Sequence, residues 1–254
     1  MNKTPERWNS YFVNVNGKLA SITLNLALRE HAPVSTNPQL LWVWVYMRTP
    51  RPDGLSDRAE FDSLSAIEDE LTLRLSSACN AIPAGRITTD GHREFYFYGS
   101  SDKGFESAVH KAMSKFSQYK FDLGSQKDAE WNQYLNVLYP SDEDLEKMKN
   151  QDVLDVMEKR GDNLEAVRDV YHWIYFVSKE DRQAFAVKVR DLGYKIERES
   201  EMHDEKRPFG LQITRAQSIT AEKIDAAVIE LFKLAKQVNA EYDGWEAQVV
   251  GPKK

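Results

Sequence analysis

Two periods of apolar residues alternate along the chain, one of two residues and one of three to four, and they predict strands and helices. In the first half, the turn-forming dipeptides Asn16-Gly17 and Asp90-Gly91 each separate two strand-like runs and predict two β-hairpins. The predicted elements of this half are strands at 8–15, 18–28, 40–47, 86–89, 93–98 and 119–123, and helices at 57–78 and 102–117. After the opening hairpin, the predicted order is therefore β-α-β-β-α-β.

The second half repeats that order after an additional helix. Its predicted elements are helices at 142–159, 179–191 and 220–238, and strands at 169–177, 194–200, 209–214 and 242–249. Ser141 is the predicted N-cap of the first helix and Gly161 follows its C-terminal end. The predicted apolar stripe of that helix comprises Leu145, Met148, Val153, Val156 and Met157. Because β-α-β-β-α-β is the ferredoxin-like order, we predict an α+β protein with two ferredoxin-like domains, the first preceded by a β-hairpin.

The predicted domain boundary lies at Tyr139-Pro140-Ser141, after a polar segment that begins at Gly124. We expect the segment 131–141, WNQYLNVLYPS, to pack on the first domain. The predicted domains are therefore residues 1–140 and residues 141–254.

Composition is typical of a folded protein, since 41% of the 254 residues are hydrophobic and 29% are charged. No apolar run approaches the ~20 residues needed to span a bilayer, and the first residues lack the apolar core of a secretory signal. Cys79 is the only cysteine, so no intramolecular disulfide can form. These observations predict a cytoplasmic protein that has no membrane partner.

The net charge of −6 is concentrated in one segment. Residues 1–140 are almost neutral, with 15 Lys/Arg and 16 Asp/Glu, whereas residues 141–165 contain nine acidic and four basic residues. Such a segment repels phosphate backbones and attracts a basic partner. A solvated helix face is the alternative interpretation.

Motifs for cofactor binding and catalysis are absent from the sequence. It contains neither G-x-G-x-x-G nor G-x-x-x-x-G-K-[ST], and one cysteine cannot build a zinc site. Five histidines share no close ligand spacing: His31, His92, His110, His172 and His203. We interpret His172 as a satisfied core histidine, in preference to a polar pair with Asp169 or Glu246. We therefore expect no catalytic residue, no metal and no cofactor.

Aromatic residues line one face of a predicted strand in each half: Trp42, Trp44 and Tyr46, and Tyr171, Trp173 and Tyr175. Ferredoxin-like sheets that bind RNA stack bases on aromatic residues of their two middle strands. The strand 209–214 lacks the motif of such proteins and the surrounding charge is negative, so we favour structural packing of these rings. An RNA- or small-ligand-binding module is the alternative function, and exposed rings would favour it because a buried ring cannot stack on a base.

A set of residues in the second half is shared with a known family. The set comprises Gly161-Asp162, Arg168, Val170, His172-Trp173, Tyr175-Phe176, Phe185, Gly193-Tyr194, Gly210-Leu211 and Tyr242-Asp243-Gly244-Trp245-Glu246. With this set, residues 135–250 resemble the regulator of ribonuclease E activity B family. The resemblance implies a non-catalytic protein that binds ribonuclease E and alters RNA turnover.

The first half resembles a bacterial domain family of unknown function, which implies no activity. The residues that carry this resemblance are the Asn16-Gly17 hairpin, the helix with Leu55 and Ile67-Glu68, and the strand Gly91-His92-Arg93-Glu94-x-Tyr96-x-Tyr98. The single-domain ribonuclease regulators end in an acidic tail, whereas this sequence ends in Gly251-Pro252-Lys253-Lys254 and has an additional amino-terminal domain.

Charge and resemblance together predict an acidic surface that contacts a basic, Arg-rich segment of ribonuclease E, without direct binding of nucleic acid. The predicted contact residues are Asp142, Glu143, Asp144, Glu146, Asp152, Asp155, Asp162 and Glu165.

Overall fold

The structure is a computed structural model of the chain and describes residues 5–202 and 206–251. The chain divides into two compact units, Met1–Pro140 and Ser141–Lys254. His203 and the final Pro252-Lys253-Lys254 lie outside the described residues.

The first unit is a mixed α+β fold with one antiparallel sheet. Its elements are β1 (Trp8–Val15), β2 (Lys18–Asn25), β3 (Gln39–Tyr46), α1 (Arg58–Cys79), β4 (Ile82–Thr89), β5 (His92–Gly99), α2 (Phe105–Met113) and β6 (Lys120–Lys127). Short 3-10 helices cover Leu26–Glu30 and Ser114–Phe116, and a π-helix covers Gln133–Leu138.

The six strands are ordered β1-β2-β4-β5-β3-β6. The last four, with α1 and α2, form the ferredoxin-like part, and the β1–β2 hairpin extends the sheet beside β4. Asn16 and Gly17 have φ of 52° and 82°, and Asp90 and Gly91 have φ of 46° and 81°. A two-residue type I′ turn needs φ above zero at both positions, so these dipeptides set the two hairpins.

The main core of this unit lies between the sheet and the two helices. Asp57 caps α1, since its carboxylate accepts a hydrogen bond from the Ala59 amide at 2.8 Å. The core residues include Leu41, Val43, Val45, Leu64, Ile67, Leu71, Phe95, Phe97, Val109 and Met113.

The segment after β6 covers part of the opposite face of this sheet. The Trp131 ring stacks on Tyr98 at 4.0 Å, and its Nε1 donates to the Asn37 carbonyl at 2.9 Å. Asp128 accepts from the Tyr98 hydroxyl at 2.6 Å and from the Gln133 amide at 3.0 Å. Burial disfavours the charged carboxylate, but these hydrogen bonds outweigh burial and lower the pKa of Asp128. Trp131, Tyr134 and Leu138 are fully buried as a result.

The second unit has the same core order with one extra helix at its start. Its elements are α3 (Asp142–Lys159), β7 (Arg168–Phe176), α4 (Lys179–Asp191), β8 (Lys195–Glu201), β9 (Phe209–Gln217), α5 (Ala221–Gln237) and β10 (Glu241–Ala247). The antiparallel strand order β10-β7-β9-β8 is the one found for β6-β3-β5-β4 in the first unit. The prediction of two ferredoxin-like domains, the first preceded by a hairpin, is confirmed.

Strand β7 divides the second unit into two faces. Val170, Ile174 and Phe176 are fully buried on the side of α4 and α5, in a core with Leu211, Ile213, Val228 and Leu231. Tyr171, Trp173 and Tyr175 alternate with them and are partly exposed on the other side. Across the described residues of both units, no helix has the length and apolar character needed to cross a membrane.

Candidate functional site

Helix α3 begins with acidic residues that are already paired within the second unit. The Ser141 hydroxyl accepts from the Asp144 amide at 3.1 Å and caps the helix. Lys236 donates to Asp142 at 2.6 Å, and Lys233 lies 2.9 Å from Glu143. Both lysines belong to α5, so they offset the negative charge of the first turn of α3.

Asp144 is half-buried and has two partners nearby. It accepts from the Ser141 hydroxyl at 2.7 Å, and the Lys147 ammonium lies at 3.5 Å. Its carboxylate is therefore already engaged at the helix cap and is less available to a protein partner.

Two residues of the predicted acidic surface are not at the surface. Glu146 is 7% exposed and faces the interior of the unit, and it accepts from Lys149 at 2.6 Å. The Asp162 side chain is 0% exposed and accepts two hydrogen bonds from Arg168, at 2.8 and 2.7 Å. Arg168 is itself buried, and a buried guanidinium requires a charged partner, which explains why Asp162 lies inside.

Four predicted residues are exposed. Asp142 is one of them and is the acid that pairs with Lys236; the others are Asp152, Asp155 and Glu165. Asp152 and Asp155 are three residues apart and lie on the same side of α3, with Asp155 accepting from Gln151 at 2.7 Å. Glu165 lies in the loop between α3 and β7. The structure thus reduces the predicted surface to carboxylates on the second half of α3 and on the following loop.

An apolar groove lies beside these carboxylates and was missed by the sequence analysis. The predicted apolar stripe of α3 is confirmed at Met148 and Met157, which are buried. It is wrong at Val153 and Val156, which are 37% and 45% exposed, whereas Asn150 and Leu154 are buried. The two valines line a groove of about 340 Å³ between α3 and the end of the chain. The other lining residues are Asp152, Met157, Arg160, Trp245, Glu246, Ala247 and Val249.

Hydrogen bonds fix the far wall of this groove. The Trp245 indole Nε1 donates to the Asn150 side-chain carbonyl at 2.8 Å. The Asn150 amide nitrogen in turn donates to Asp225 of α5 at 2.8 Å. Because Asn150 satisfies its polar atoms in this way, it can be buried where an apolar residue would be expected. The sequence did contain a signal for this arrangement. Glu146, Asn150 and Leu154 are spaced by four residues and therefore share one face of α3, and the two valines lie on another face.

The aromatic residues of the first sheet pack mainly on one another. Trp42 and Trp44 are partly buried, with ring centroids 5.2 Å apart. A side-chain carbon added at Gly124 would lie 2.3 Å from the Trp42 ring, so the ring packs closely against the backbone of β6. Tyr46 is 39% exposed and donates to Asp122 at 2.6 Å.

A histidine and an acid complete this cluster. The Trp44 ring lies 5.3 Å from the ring of His92, whose Nε2 is 2.7 Å from the Glu94 carboxylate. The hydrogen bond to Glu94, opposed by burial, raises the pKa of His92. Trp42, Trp44 and Tyr46 therefore form part of a packed polar–aromatic cluster.

The aromatic residues of the second sheet are arranged differently. Tyr171, Trp173 and Tyr175 are partly exposed and lie opposite Thr214, Gln212 and Gly210 of β9. Burial, with a smaller effect of Asp243, raises the pKa of Tyr175. Among the described residues, none forms a ring–ring pair with these three side chains, and each of the three is partly exposed.

His172 lies on the buried side of the same strand. It is 0% exposed, and its Nδ1 lies 2.8 Å from the Tyr242 hydroxyl, while the Tyr194 ring packs edge-on at 5.7 Å. Its Nε2 has no hydrogen-bond partner among the described residues. Burial, helped by the charge of Arg215, lowers the pKa of His172 to about 3, so the ring is neutral at physiological pH. The partner is Tyr242, not Asp169 or Glu246.

Comparison with known families places both halves of the chain. Residues 6–139 match the family of unknown function DUF695. The chain belongs to this family. Residues 147–247 match the regulator of ribonuclease activity B family, so both resemblances predicted from the sequence are confirmed. The second match begins within α3, and it includes Asp152 and Asp155 but not the paired acids of the first turn.

The match to the regulator family supports a role in regulating ribonuclease activity. The search of curated proteins found no match. Within 5–202 and 206–251, no group of three or more His, Cys, Asp or Glu side chains could hold a metal ion.

Two solved structures have low sequence identity to this chain. A crystal structure of an unknown protein from Galdieria sulphuraria is 10% identical, covers 84% of this chain and 99% of that chain, and has a TM-score of 0.23. A crystal structure described as a "putative glycine cleavage system transcriptional repressor" is 12% identical, covers 83% and 98%, and also has a TM-score of 0.23. TM-scores this low support no conclusion about fold or function.

Proposed function

We propose that this chain is a cytoplasmic, non-catalytic regulator that binds ribonuclease E, or a similar basic partner, and reduces RNA cleavage. The proposed contact surface comprises the exposed carboxylates Asp152, Asp155 and Glu165 and the apolar groove next to them. Direct binding of nucleic acid forms no part of this proposal.

The match of residues 147–247 supports a protein partner in ribonuclease regulation. The observation that carries the choice of surface is that Val153 and Val156 are exposed on α3, each directly after one of the exposed carboxylates Asp152 and Asp155. Protein interfaces combine an apolar centre with a polar rim, and carboxylates in the rim speed association with a basic partner. The acids of the first turn contribute less, because the lysines of α5 already oppose them.

Binding to purified ribonuclease E tests the acidic part of the surface. We expect Asp152→Asn with Asp155→Asn to weaken binding about tenfold at about 50 mM salt, mainly through slower association, and less at about 300 mM salt. The matched control is Glu180→Gln with Asp191→Asn, which removes two exposed carboxylates from α4. Equal binding by the chain and both variants would refute the acidic surface, and absence of any association would refute the partner.

The apolar part is tested separately. Val156→Ser should weaken binding by about 1 kcal/mol with little dependence on salt, because it removes apolar contact area and no charge. Val187→Ser is the control, since Val187 is 57% exposed on α4. A cleavage assay with ribonuclease E then shows whether the loss of binding is accompanied by loss of inhibition.

A further inference from the structure

A second site lies on the face of the second sheet that carries no helix. Here a cleft of about 320 Å³ crosses strands β7, β9 and β8. It is lined by Trp173, Tyr175, Arg198, Ser200, Glu201, Met202, Gly210, Leu211 and Gln212. None of these residues belongs to the groove on α3.

Strand pairing places different chemistry on the two sides of the cleft. Trp173 pairs with Gln212 on β9, which in turn pairs with Arg198 on β8. In the next row, Tyr175 pairs with Gly210, which pairs with Ser200. One wall is therefore aromatic and the other carries a guanidinium and a hydroxyl, with Gln212 and Gly210 of β9 as the floor.

Gly210 keeps the floor of the cleft low. A side-chain carbon at this position would lie 2.4 Å from the Ser200 hydroxyl and 3.3 Å from the Tyr175 ring. Any larger residue would therefore occupy the space between the two walls. The absence of a side chain here leaves the Tyr175 ring and the Ser200 hydroxyl facing the same volume.

The lining of the cleft has one basic residue, Arg198, and one acidic residue, Glu201. The Arg198 side chain is exposed, and it forms no hydrogen bond or ion pair with the residues described in 5–202 and 206–251. The acidic lining residue Glu201 is paired with Lys179 at 2.8 Å. An anionic group that enters the cleft therefore meets a guanidinium whose hydrogen-bond donors are available.

We infer that this cleft binds a planar aromatic molecule that carries one anionic group, such as a nucleoside monophosphate or an aromatic carboxylate. The ring contacts Trp173 and Tyr175, and the anion contacts Arg198, with Ser200 and Gln212 as further hydrogen-bonding groups. A volume of about 320 Å³ is at the small end of the range for ligand sites, which suits a single ring system with one substituent.

A strand of RNA fits these surroundings less well. Glu241, Asp243 and Glu246 are exposed on β10, on the other side of the aromatic residues. An RNA backbone that followed β7 would pass these carboxylates and would be repelled by them. A small ligand between Trp173 and Arg198 avoids that edge of the sheet. This cleft shares no lining residue with the groove on α3, so its ligand binding can be tested independently of ribonuclease binding.

The test is a titration of the full chain followed by NMR, using the indole Nε1–H resonance of Trp173, assigned with Trp173→Phe. Two ligands, uridine monophosphate and 4-hydroxybenzoate, distinguish a nucleotide from an aromatic carboxylate. Two controls each lack one part of the proposed ligand: uridine lacks the anionic group, and inorganic phosphate lacks the ring. We expect saturable shifts with one or both of the first two at millimolar concentration, and much weaker shifts with uridine or phosphate.

Variants decide whether the cleft is responsible. Arg198→Gln should weaken binding on the order of tenfold or more, because it removes a charged hydrogen-bond donor. Arg190→Gln on α4, which makes the same change at another exposed arginine, should leave binding unchanged. Gly210→Ala should also weaken binding by filling the floor, and unchanged resonances of the buried core report that the variants remain folded.

The inference is overturned if neither aromatic anion binds, or if Arg198→Gln and Arg190→Gln bind equally. Tighter binding of an RNA octamer than of uridine monophosphate, with a site of several nucleotides, would also overturn it in favour of RNA. Loss of ribonuclease E binding would leave this result unaffected.

Discussion

Acidification should destabilise the second unit through a single buried histidine. His172 is fully buried and its pKa is lowered to about 3, whereas a histidine in an unfolded chain titrates near 6.5. Between about pH 3 and pH 6.5, His172 is therefore protonated in the unfolded state and neutral in the folded state. The contribution of His172 to stability is therefore complete above about pH 6.5 and is lost progressively as the pH falls towards 3.

The size of the effect follows from the two pKa values. Each unit of difference corresponds to about 1.4 kcal/mol, so the full loss approaches ~5 kcal/mol, and the loss between pH 7 and pH 5 is about 2 kcal/mol. A domain with a free energy of unfolding of about 5–15 kcal/mol would register this clearly.

Urea unfolding at pH 7, 6 and 5 measures the effect, with the methyl resonances of Ile174 and Ile213 as probes that belong to the second unit alone. In His172→Gln the amide can still bond the Tyr242 hydroxyl but cannot titrate. This variant should be less stable at pH 7, because the substitution disturbs the packing of the core, yet its stability should fall with pH less steeply by about 2 kcal/mol over the same range. An equal pH dependence in both proteins, or a His172 ring that titrates above pH 5, would refute the reasoning.

Three further predictions concern other parts of the chain. Asp162→Asn leaves the Arg168 guanidinium buried without its counter-charge and should cost on the order of 3–5 kcal/mol in urea unfolding; a loss below about 1 kcal/mol would contradict the role of this pair. Gly124→Ala should cost about 1–3 kcal/mol and alter the near-ultraviolet circular dichroism of Trp42, because the new methyl group would lie 2.3 Å from that ring; an unchanged spectrum would mean that the ring is free to move. Burial raises the pKa of the Cys79 thiol, so DTNB should modify it only after denaturation, and rapid reaction with the folded chain would argue against this.

The order of strands and helices could be predicted because its signals are local. Asn16-Gly17 and Asp90-Gly91 determine their turns through backbone angles that few other residues adopt, and both hairpins form there. The helix caps at Asp57 and Ser141 likewise depend on residues one turn away. Such signals depend only on residues close in sequence, so they can be recognised without knowing what packs against the element.

The inner and outer sides of α3 could not be predicted in the same way. Apolar spacing favoured Val153 and Val156 as core residues, but the structure buries Asn150 instead. Its burial depends on hydrogen bonds to Trp245 and Asp225, which lie 95 and 75 residues further along the chain. The periodicity of apolar residues therefore cannot predict the burial of a polar side chain whose hydrogen-bond partners are distant in sequence.

The predicted acidic surface shows the same limit. Nine acids in 25 residues are visible in the sequence, but their environments are not. Asp162 is enclosed by Arg168 and by the Val250 amide, which donates to it at 2.9 Å across 88 residues of chain. The wall of the cleft at Arg198 and Ser200 was also not predicted, because the register of β8 against β9 shifts between Ile196 and Arg198.

The segment that follows β6 has a practical consequence for protein engineering. An expression fragment of the first half that stops at Lys127, where the last strand ends, would retain every strand and lose Asp128, Trp131, Tyr134 and Leu138. Apolar surface on the sheet, including the Tyr98 ring that Trp131 covers, would then face water, and such a fragment should aggregate. A fragment that continues through Tyr139 keeps this surface covered. The twelve residues 128–139, which lie outside the sheet, should therefore decide whether the fragment is soluble or aggregates.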